Sequence, residues 1–283
     1  MSPNPALAAF ASLLVVLVVS GSATRSADRA GRSRAVFAER AADDATVSSN
    51  WAGYAITASS TGVPSQPFTD VTGTWVQPRA RCTPAERSSA AFWVGLGGWD
   101  ASSTALEQIG TSVDCSAGKA VYAAWYEILP AEPDALRLKV RPGDRMTGAV
   151  LVTGTRVVLS LKNLTRHTRF TKAIPSVQPL DVGSAEWIAE APSACGVGGS
   201  CRVVPLANFG TVTFTKAAAI GSAHAGTISD PSWSSAQVVL ATDSTQAPGP
   251  FSNTHGALPT SLSPDGTLFS VSWRQTLTPP PIG

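Results

Sequence analysis

Apolar and polar residues alternate in short segments along most of this chain, which is the pattern of β-strands with one buried face. The clearest segments lie at 136–141, 156–161, 211–215, 236–241 and 268–273, and Gly, Pro, Ser and Asp separate them. No segment shows the period of an amphipathic helix of three or more turns. The pattern therefore predicts an all-β protein, and an antiparallel two-sheet β-sandwich is its natural architecture.

One strand segment, 184–190, carries two carboxylates in an otherwise apolar run. Because side chains alternate between the two faces of a strand, Glu186 and Glu190 share a face with Ile188, and Trp187 lies on the other face. A sheet rarely has acids on a buried face unless they have a partner or a chemical role. The segment is therefore either a solvated face or part of a functional site.

The two ends of the chain differ in composition from the part between them. Residues 1–23 contain an uncharged apolar run at 6–19, which is typical of an export signal and is short for a membrane span. Residues 24–46 are charged and have no clear apolar period, so they predict a short pro-segment or leader; the Pro-rich residues 276–283 predict a flexible tail. We expect a secreted protein with one domain at 47–275 and no membrane association once the signal is removed.

The charge balance does not favour a nucleic acid partner. The whole chain has 21 Lys or Arg and 19 Asp or Glu, and five of the Arg and four of the acids lie in the leader. The remainder is nearly neutral, whereas nucleic-acid-binding domains are usually basic. Its length of roughly 235 residues is enough for a single large core, and we expect a monomer.

The four cysteines lie in the part of the chain that is expected to be exported, where disulfides form. Cys195 and Cys201 bracket a Gly-rich segment and are expected to close a short loop, which leaves Cys82 and Cys115 as the long-range bridge. A zinc site is the rival hypothesis, but the chain has no CxxC or HExxH motif and its three His are scattered. We therefore expect two disulfides, no metal and no other cofactor.

Three further segments combine aromatic residues with polar or acidic ones: Trp93 followed by Gly residues in 92–98, Gln108 in 105–110, and Trp125 with Glu127 in 124–127. Each has an ordinary explanation as a core or surface strand.

In their order along the chain, these segments resemble the glutamic peptidases, the eqolisin family of acid endopeptidases (peptidase family G1). The resemblance begins at 49–53 (Ser-Asn-Trp-Ala-Gly) and includes 71–78, 185–190 and 205–210. It covers roughly residues 48 to 215 and weakens towards the end of the chain. It implies a lectin-like (concanavalin-like) sandwich as the catalytic domain, with polypeptides as substrates.

The resemblance also implies which residues form the site. The family's catalytic Gln and Glu match Gln108 and Glu190, the second acid of its segment. The family's cleft also uses residues matched by Trp93 and Glu127. The complete substrate-binding set that we expect is Trp93, Asp114, Trp125, Glu127 and Glu186.

The chain departs from the fungal members at two positions that concern the acids lining the cleft. We therefore expect a bacterial-type member of the family. Gly97 stands where fungal members have an Asp. After Gln108 the spacing lengthens, so that Asp114 is the acid available to match a second family Asp. Both departures affect substrate preference and the acid optimum rather than the catalytic pair.

The Gln and Glu pair suits amide hydrolysis. One carboxyl group can deprotonate a water and then protonate the leaving nitrogen. The amide of Gln108 can accept a hydrogen bond from that water through its carbonyl oxygen and donate to the oxyanion through its NH2 group. The expected function is a secreted acid endopeptidase without a covalent intermediate.

Two alternatives use the same residues. The sandwich could be a carbohydrate-binding module in which Trp93, Trp99 and Trp125 stack on sugars, or a glycosidase with Glu127 and Glu190 as its carboxylate pair. Neither accounts for Gln108 in its segment. A serine or cysteine hydrolase is disfavoured because the chain has no GxSxG motif.

Overall fold

The computed structural model describes residues 30–31, 37–38, 45–58, 67–100, 102–195, 201–221, 224–241 and 255–275. The predicted export signal and the predicted tail lie outside these residues. The described secondary structure is β throughout, with strands β1 (Ala30–Gly31), β2 (Phe37–Ala38), β3 (Ala45–Ser48), β4 (Trp51–Ala58), β5 (Phe68–Val76), β6 (Ser88–Leu96), β7 (Glu107–Ser116), β8 (Lys119–Ile128), β9 (Asp134–Leu136), β10 (Arg145–Thr153), β11 (Arg156–Asn163), β12 (Thr168–Pro175), β13 (Ser184–Glu190), β14 (Ser193–Cys195), β15 (Cys201–Val203), β16 (Thr211–Gly221), β17 (His224–Gly226), β18 (Trp233–Leu240), β19 (Gly256–Pro259) and β20 (Phe269–Arg274).

Two sheets pack face to face, which confirms the predicted β-sandwich. The first sheet has the order β9-β8-β7-β6-β13-β4-β18-β3-β2. The second has the order β12-β11-β10-β5-β16-β20-β19. Strand β19 also pairs with β18 through Leu240 and Ala257, so the two sheets are connected at this point. Among the described strands, β3 and β18 form a parallel pair and the other pairings are antiparallel.

Large aromatic side chains fill the space between the sheets. Trp75, Phe92, Trp187 and Phe214 are fully buried there. The indole N–H of Trp187 donates to the carbonyl oxygen of Thr72 at 2.8 Å, so this tryptophan has no unsatisfied donor. Full burial of such a side chain is worth about 1.5–3 kcal/mol, and these residues therefore hold the first sheet rigidly on the second.

The predicted strand at 136–141 is wrong. Strand β9 ends at Leu136, and residues 137–141 pair with no neighbouring strand. Their alternation still correctly marks Leu138 and Val140 as buried. The segment is held by a side chain instead of a strand, because the Asn163 amide donates to the carbonyl oxygen of Lys139 at 3.2 Å.

Cys82 and Cys115 form the predicted long-range disulfide, which ties the segment before β6 to the end of β7. Cys195 and Cys201 lie directly opposite each other in the register of β14 and β15. Cys201 is disulfide-bonded. This register is the one that the predicted short-loop bridge requires.

Two short pieces of the predicted leader pair with the domain. Strand β1 pairs with β14, and β2 pairs with β3. The position of the boundary between leader and domain remains a prediction.

Candidate active site

The acids of β13 lie on the outer face of the first sheet. Ala185, Trp187 and Ala189 belong to the core between the sheets. Ile188 belongs to a second apolar cluster, on the outer face. The alternation of the strand therefore places Glu186 and Glu190 on the outer face, as the sequence predicts.

Glu190 is held by an aromatic pair. It is fully buried, and its Oε2 accepts a hydrogen bond of 2.7 Å from the indole Nε1 of Trp93. Trp51, which lies opposite Glu190 on β4, packs edge-on against Trp93 with ring centroids 4.9 Å apart. A carboxyl group in this position is removed from bulk water but keeps a fixed donor.

Gln108 is held by an acid on the next strand. Its Nε2 donates to Oε2 of Glu127 at 2.6 Å, and both side chains are buried. Glu127 lies directly opposite Gln108 in the register of β7 and β8. Because this bond fixes the NH2 side of the amide, the carbonyl oxygen Oε1 of Gln108 is aimed elsewhere, and it has no hydrogen-bond partner among the described residues.

A glycine allows Trp93 to extend from one of these groups to the other. Gly95 lies opposite Gln108 on one side and opposite Glu186 on the other. A Cβ atom built on Gly95 would be 3.0 Å from Cζ3 of Trp93 and 3.1 Å from Cβ of Gln108. The indole thus contacts Glu190 at its nitrogen and covers the backbone beside Gln108 with its six-membered ring.

Glu186 and Trp125 also lie at this site. Glu186 is fully buried, and neither of its carboxyl oxygens has a hydrogen-bond partner among the described residues. Burial raises the pKa of Glu186 well above its usual value. Trp125 belongs to the same outer-face cluster as Trp93. Their predicted roles in substrate binding remain predictions.

Asp114 lies on the same face but far from Gln108. It is six residues beyond Gln108 on β7, or about 20 Å at the usual rise of a strand. The Ser89 hydroxyl donates to its Oδ1 at 2.6 Å, and the side chain is exposed.

Three residues at or beside this site were given no functional role by the sequence analysis: Trp51, Glu107 and Asp181. Trp51 supports Trp93, and its position in the segment 49–53 was the available signal. Glu107 is a fully buried acid, and the alternation that places Gln108 on the outer face places Glu107 on the inner one. Asp181 contacts Gly97 through long-range packing, which no local pattern signals.

The described residues hold no group of three or more His, Cys, Asp or Glu arranged to bind a metal ion. In the same part of the chain, no helix has the length and apolar character needed to cross a membrane.

Residues 49–248 match the model of the peptidase A4 family. The chain is 30% identical over 214 residues to scytalidopepsin B of Scytalidium lignicola, covering 74% of this chain and 77% of that protein. It is 29% identical over 148 residues to aspergillopepsin-2 of Aspergillus niger, covering 48% of this chain and 47% of that protein.

The fold matches solved structures of the same kind. The crystal structure of scytalido-glutamic peptidase with a peptide-based transition state analog aligns with a TM-score of 0.62 and 27% identity, covering 80% of this chain and 98% of that one. The aspergilloglutamic peptidase from Aspergillus niger aligns with a TM-score of 0.50 and 26% identity, covering 66% of this chain and 99% of that one. The expectation of a bacterial-type member is not tested by these relatives and remains a prediction. The extent of the family match and the shared sandwich show that the chain belongs to the peptidase A4 family, the glutamic peptidases, and is a glutamic endopeptidase.

Proposed function

We propose that this glutamic peptidase is a secreted, monomeric acid endopeptidase that cleaves polypeptides with a water activated by Glu190 and Gln108, without a covalent intermediate. The observation that carries the proposal is the orientation of Gln108. Glu127 holds its NH2 side at 2.6 Å, while its carbonyl oxygen is buried and has no partner within the described residues. A buried carbonyl oxygen without a partner favours binding a hydrogen-bond donor from the cleft. The attacking water is such a donor.

The division of labour follows from the two environments. Glu190 takes a proton from the water, whose oxygen attacks the scissile carbonyl carbon, and Oε1 of Gln108 accepts the water's other hydrogen bond. The second N–H of the Gln108 amide stabilises the oxyanion. Glu190 then returns its proton to the leaving nitrogen, so that one carboxyl group serves as base and then as acid.

Trp93 and Glu127 act as positioning residues in this scheme. The indole N–H of Trp93 holds the carboxyl group of Glu190 in the orientation that the proton transfers require. Glu127 prevents the Gln108 amide from turning over, which would exchange its donor and acceptor sides. Trp125 and Glu186 line the same face, where a substrate chain would lie across the strands.

The relatives support a polypeptide as the substrate. Scytalido-glutamic peptidase binds a peptide-based transition state analog, and the fold of this chain covers nearly all of that protein. The family assignment also disfavours the carbohydrate-binding and glycosidase alternatives. In the structure Glu127, one acid of the supposed glycosidase pair, is engaged by the Gln108 amide.

The test is hydrolysis of casein at acidic pH beside a panel of polysaccharides. We expect casein cleavage by the wild type, none by Glu190→Gln, and unchanged cleavage by Glu132→Gln, which alters an exposed acid. Cleavage of a polysaccharide in place of casein would contradict the proposal. N-terminal sequencing of protein from the culture medium tests secretion, and a start before residue 24 or retention in the cells would refute that part.

A further inference from the structure

A second group of carboxyl groups lies beside the catalytic pair and has no part in the mechanism above. Glu107 is fully buried, and neither of its carboxyl oxygens has a hydrogen-bond partner among the described residues. Its neighbours across the strands are Leu96 on β6 and Ile128 on β8, which are apolar. A carboxylate at this position would be without water and without a compensating charge.

Glu186 lies across β6 from Glu107 and on the opposite face of the sheet, and it too is fully buried. Its neighbours across the strands are Ala55 on β4 and Gly95 on β6, which bring no charge. The nearest titratable group in its own row is Glu127, which lies beyond Gly95 and Gln108. The nearby Ser184 hydroxyl is outside hydrogen-bond geometry of Glu186, and it offsets only part of the rise that burial causes in the Glu186 pKa.

Asp181 brings a third carboxyl group to the end of these strands. Gly97 has φ +85°, and a Cβ atom built there would be 2.4 Å from the carbonyl oxygen and 2.6 Å from Cβ of Asp181. The Asp181 carboxylate accepts hydrogen bonds from the backbone N–H of Gly98 at 2.9 Å and from the Ser103 hydroxyl at 2.5 Å. The acid therefore sits where the missing side chain of Gly97 would be, and the fold holds it there.

These three residues, which we call the carboxyl cluster (Glu107, Asp181 and Glu186), repel one another when charged. Burial raises the pKa of Glu107 to about 9, and the charge of Asp181 adds to the rise; the nearby backbone N–H of Asp181 offsets part of it but is not within hydrogen-bond geometry of either carboxyl oxygen. Burial, Asp181 and Glu107 all raise the pKa of Glu186. No Lys, Arg or His of the described chain is among the groups that act on either residue.

We propose that Glu107 and Glu186 are stored as neutral acids and form a pH-sensitive element that keeps the active-site end of the first sheet folded in acid and destabilises it on neutralisation. The inference rests on the proposed acid peptidase and describes the regulation of that same site. It gives the enzyme a means of self-inactivation on entering a neutral medium, because both strands that carry the cluster also carry the catalytic residues.

The direction of the effect follows from proton linkage. The unfolded chain releases the Glu107 proton near its ordinary pKa, whereas the folded chain keeps it to a higher pH. The stabilisation is therefore fully present in acid and is lost as the pH rises. Between the two pKa values, each such group lowers the folding equilibrium constant by up to about tenfold per pH unit.

The experiment compares the wild type with Glu107→Gln, Glu186→Gln and the exposed-acid control Glu132→Gln. Urea unfolding is measured between about pH 4.5 and pH 7.5, a window in which one such group can change the folding equilibrium constant by up to about 10³. We expect Glu107→Gln and Glu186→Gln each to show a shallower loss of stability with pH than the wild type, and Glu132→Gln to match the wild type. The proposal is overturned if both Gln variants keep the wild-type slope, or if the wild type is equally stable at both ends of the window.

A second measurement does not depend on the folding of a variant. Infrared spectra of the folded wild type at about pH 7 should show the carbonyl band of a protonated carboxylic acid, because ordinary Asp and Glu are fully ionised there. Absence of the band would overturn the proposal. Both measurements can be made on the inactive Glu190→Gln protein, so their outcome is independent of whether the proposed peptidase mechanism is right.

Discussion

Replacing Glu127 by Leu should reduce catalysis far more than it reduces substrate binding. The change removes the acceptor for the Gln108 amide but leaves a side chain of similar volume, so that no large cavity forms. The Gln108 Nε2–Glu127 Oε2 hydrogen bond is 2.6 Å long, and a hydrogen bond that involves a charged group is worth about 1.5–3 kcal/mol. If the whole of it serves to orient Gln108 in the transition state, kcat falls by about 10- to 150-fold.

The measurement is the kcat and KM for an internally quenched peptide at acidic pH, for Glu127→Leu, Glu127→Gln and the control Glu132→Leu. Glu127→Gln keeps an acceptor and should lose less than tenfold in kcat. Glu132 is exposed on the loop after β8, and its replacement should change neither constant. Thermal unfolding shows whether each variant is folded. A folded Glu127→Leu enzyme with the wild-type kcat would refute the claim that Glu127 orients Gln108.

Three further predictions concern the chemistry and the stability of the domain. Gln108→Ala and Glu190→Gln should each lower kcat by at least about 10², and Glu186→Gln should be much milder; an inactive Glu186→Gln beside an active Glu190→Gln would show that the wrong acid was chosen. Peptidase activity should be greatest below about pH 5 and should survive chelators and serine-protease reagents, because a single desolvated carboxyl group acts as base and acid; an optimum at neutral pH would contradict this. Replacing Cys82 and Cys115 by Ser opens a bridge across a sequence separation of 33 and should lower the free energy of unfolding by about 3.7 kcal/mol in urea titrations, whereas an unchanged midpoint would show that the bridge adds no stability.

The strand alternation was sufficient to predict much of the fold and one face of the site. On β13 it separated Glu186 and Glu190 from Trp187, because a period of two is a local property of an extended chain. It failed at 137–141, where burial alternates as in a strand but a side-chain amide replaces the neighbouring strand. Alternation reports which side chains are buried and does not report what pairs with the backbone.

The contacts that define the site could not be predicted from the local pattern of apolar and polar residues. The hydrogen bond between Trp93 and Glu190 joins residues 97 positions apart, and it depends on the register of β6 against β13. The position of Asp181 against Gly97 depends likewise on packing across 83 or more residues, as its bond to Gly98 shows. Asp114 was chosen by its distance along the chain, and the structure places it at the far end of β7.

Four of the six glutamates between residues 45 and 275 are buried at or beside this site, and their surroundings divide them into two kinds. Glu127 and Glu190 each accept a hydrogen bond from a fixed side-chain donor, which stabilises a carboxylate and aims its remaining oxygen. Glu107 and Glu186 face apolar neighbours and the charge of Asp181, which favours the neutral acid. The same residue type can thus supply a reactive base and a neutral acid within a few strands, because Trp93 and Gln108 donate hydrogen bonds to Glu190 and Glu127, whereas no described residue donates a hydrogen bond to Glu107 or Glu186. An enzyme built in this way would be confined to acid by two independent causes: the chemistry of its single catalytic carboxyl group, and the stability of the sheet that carries it.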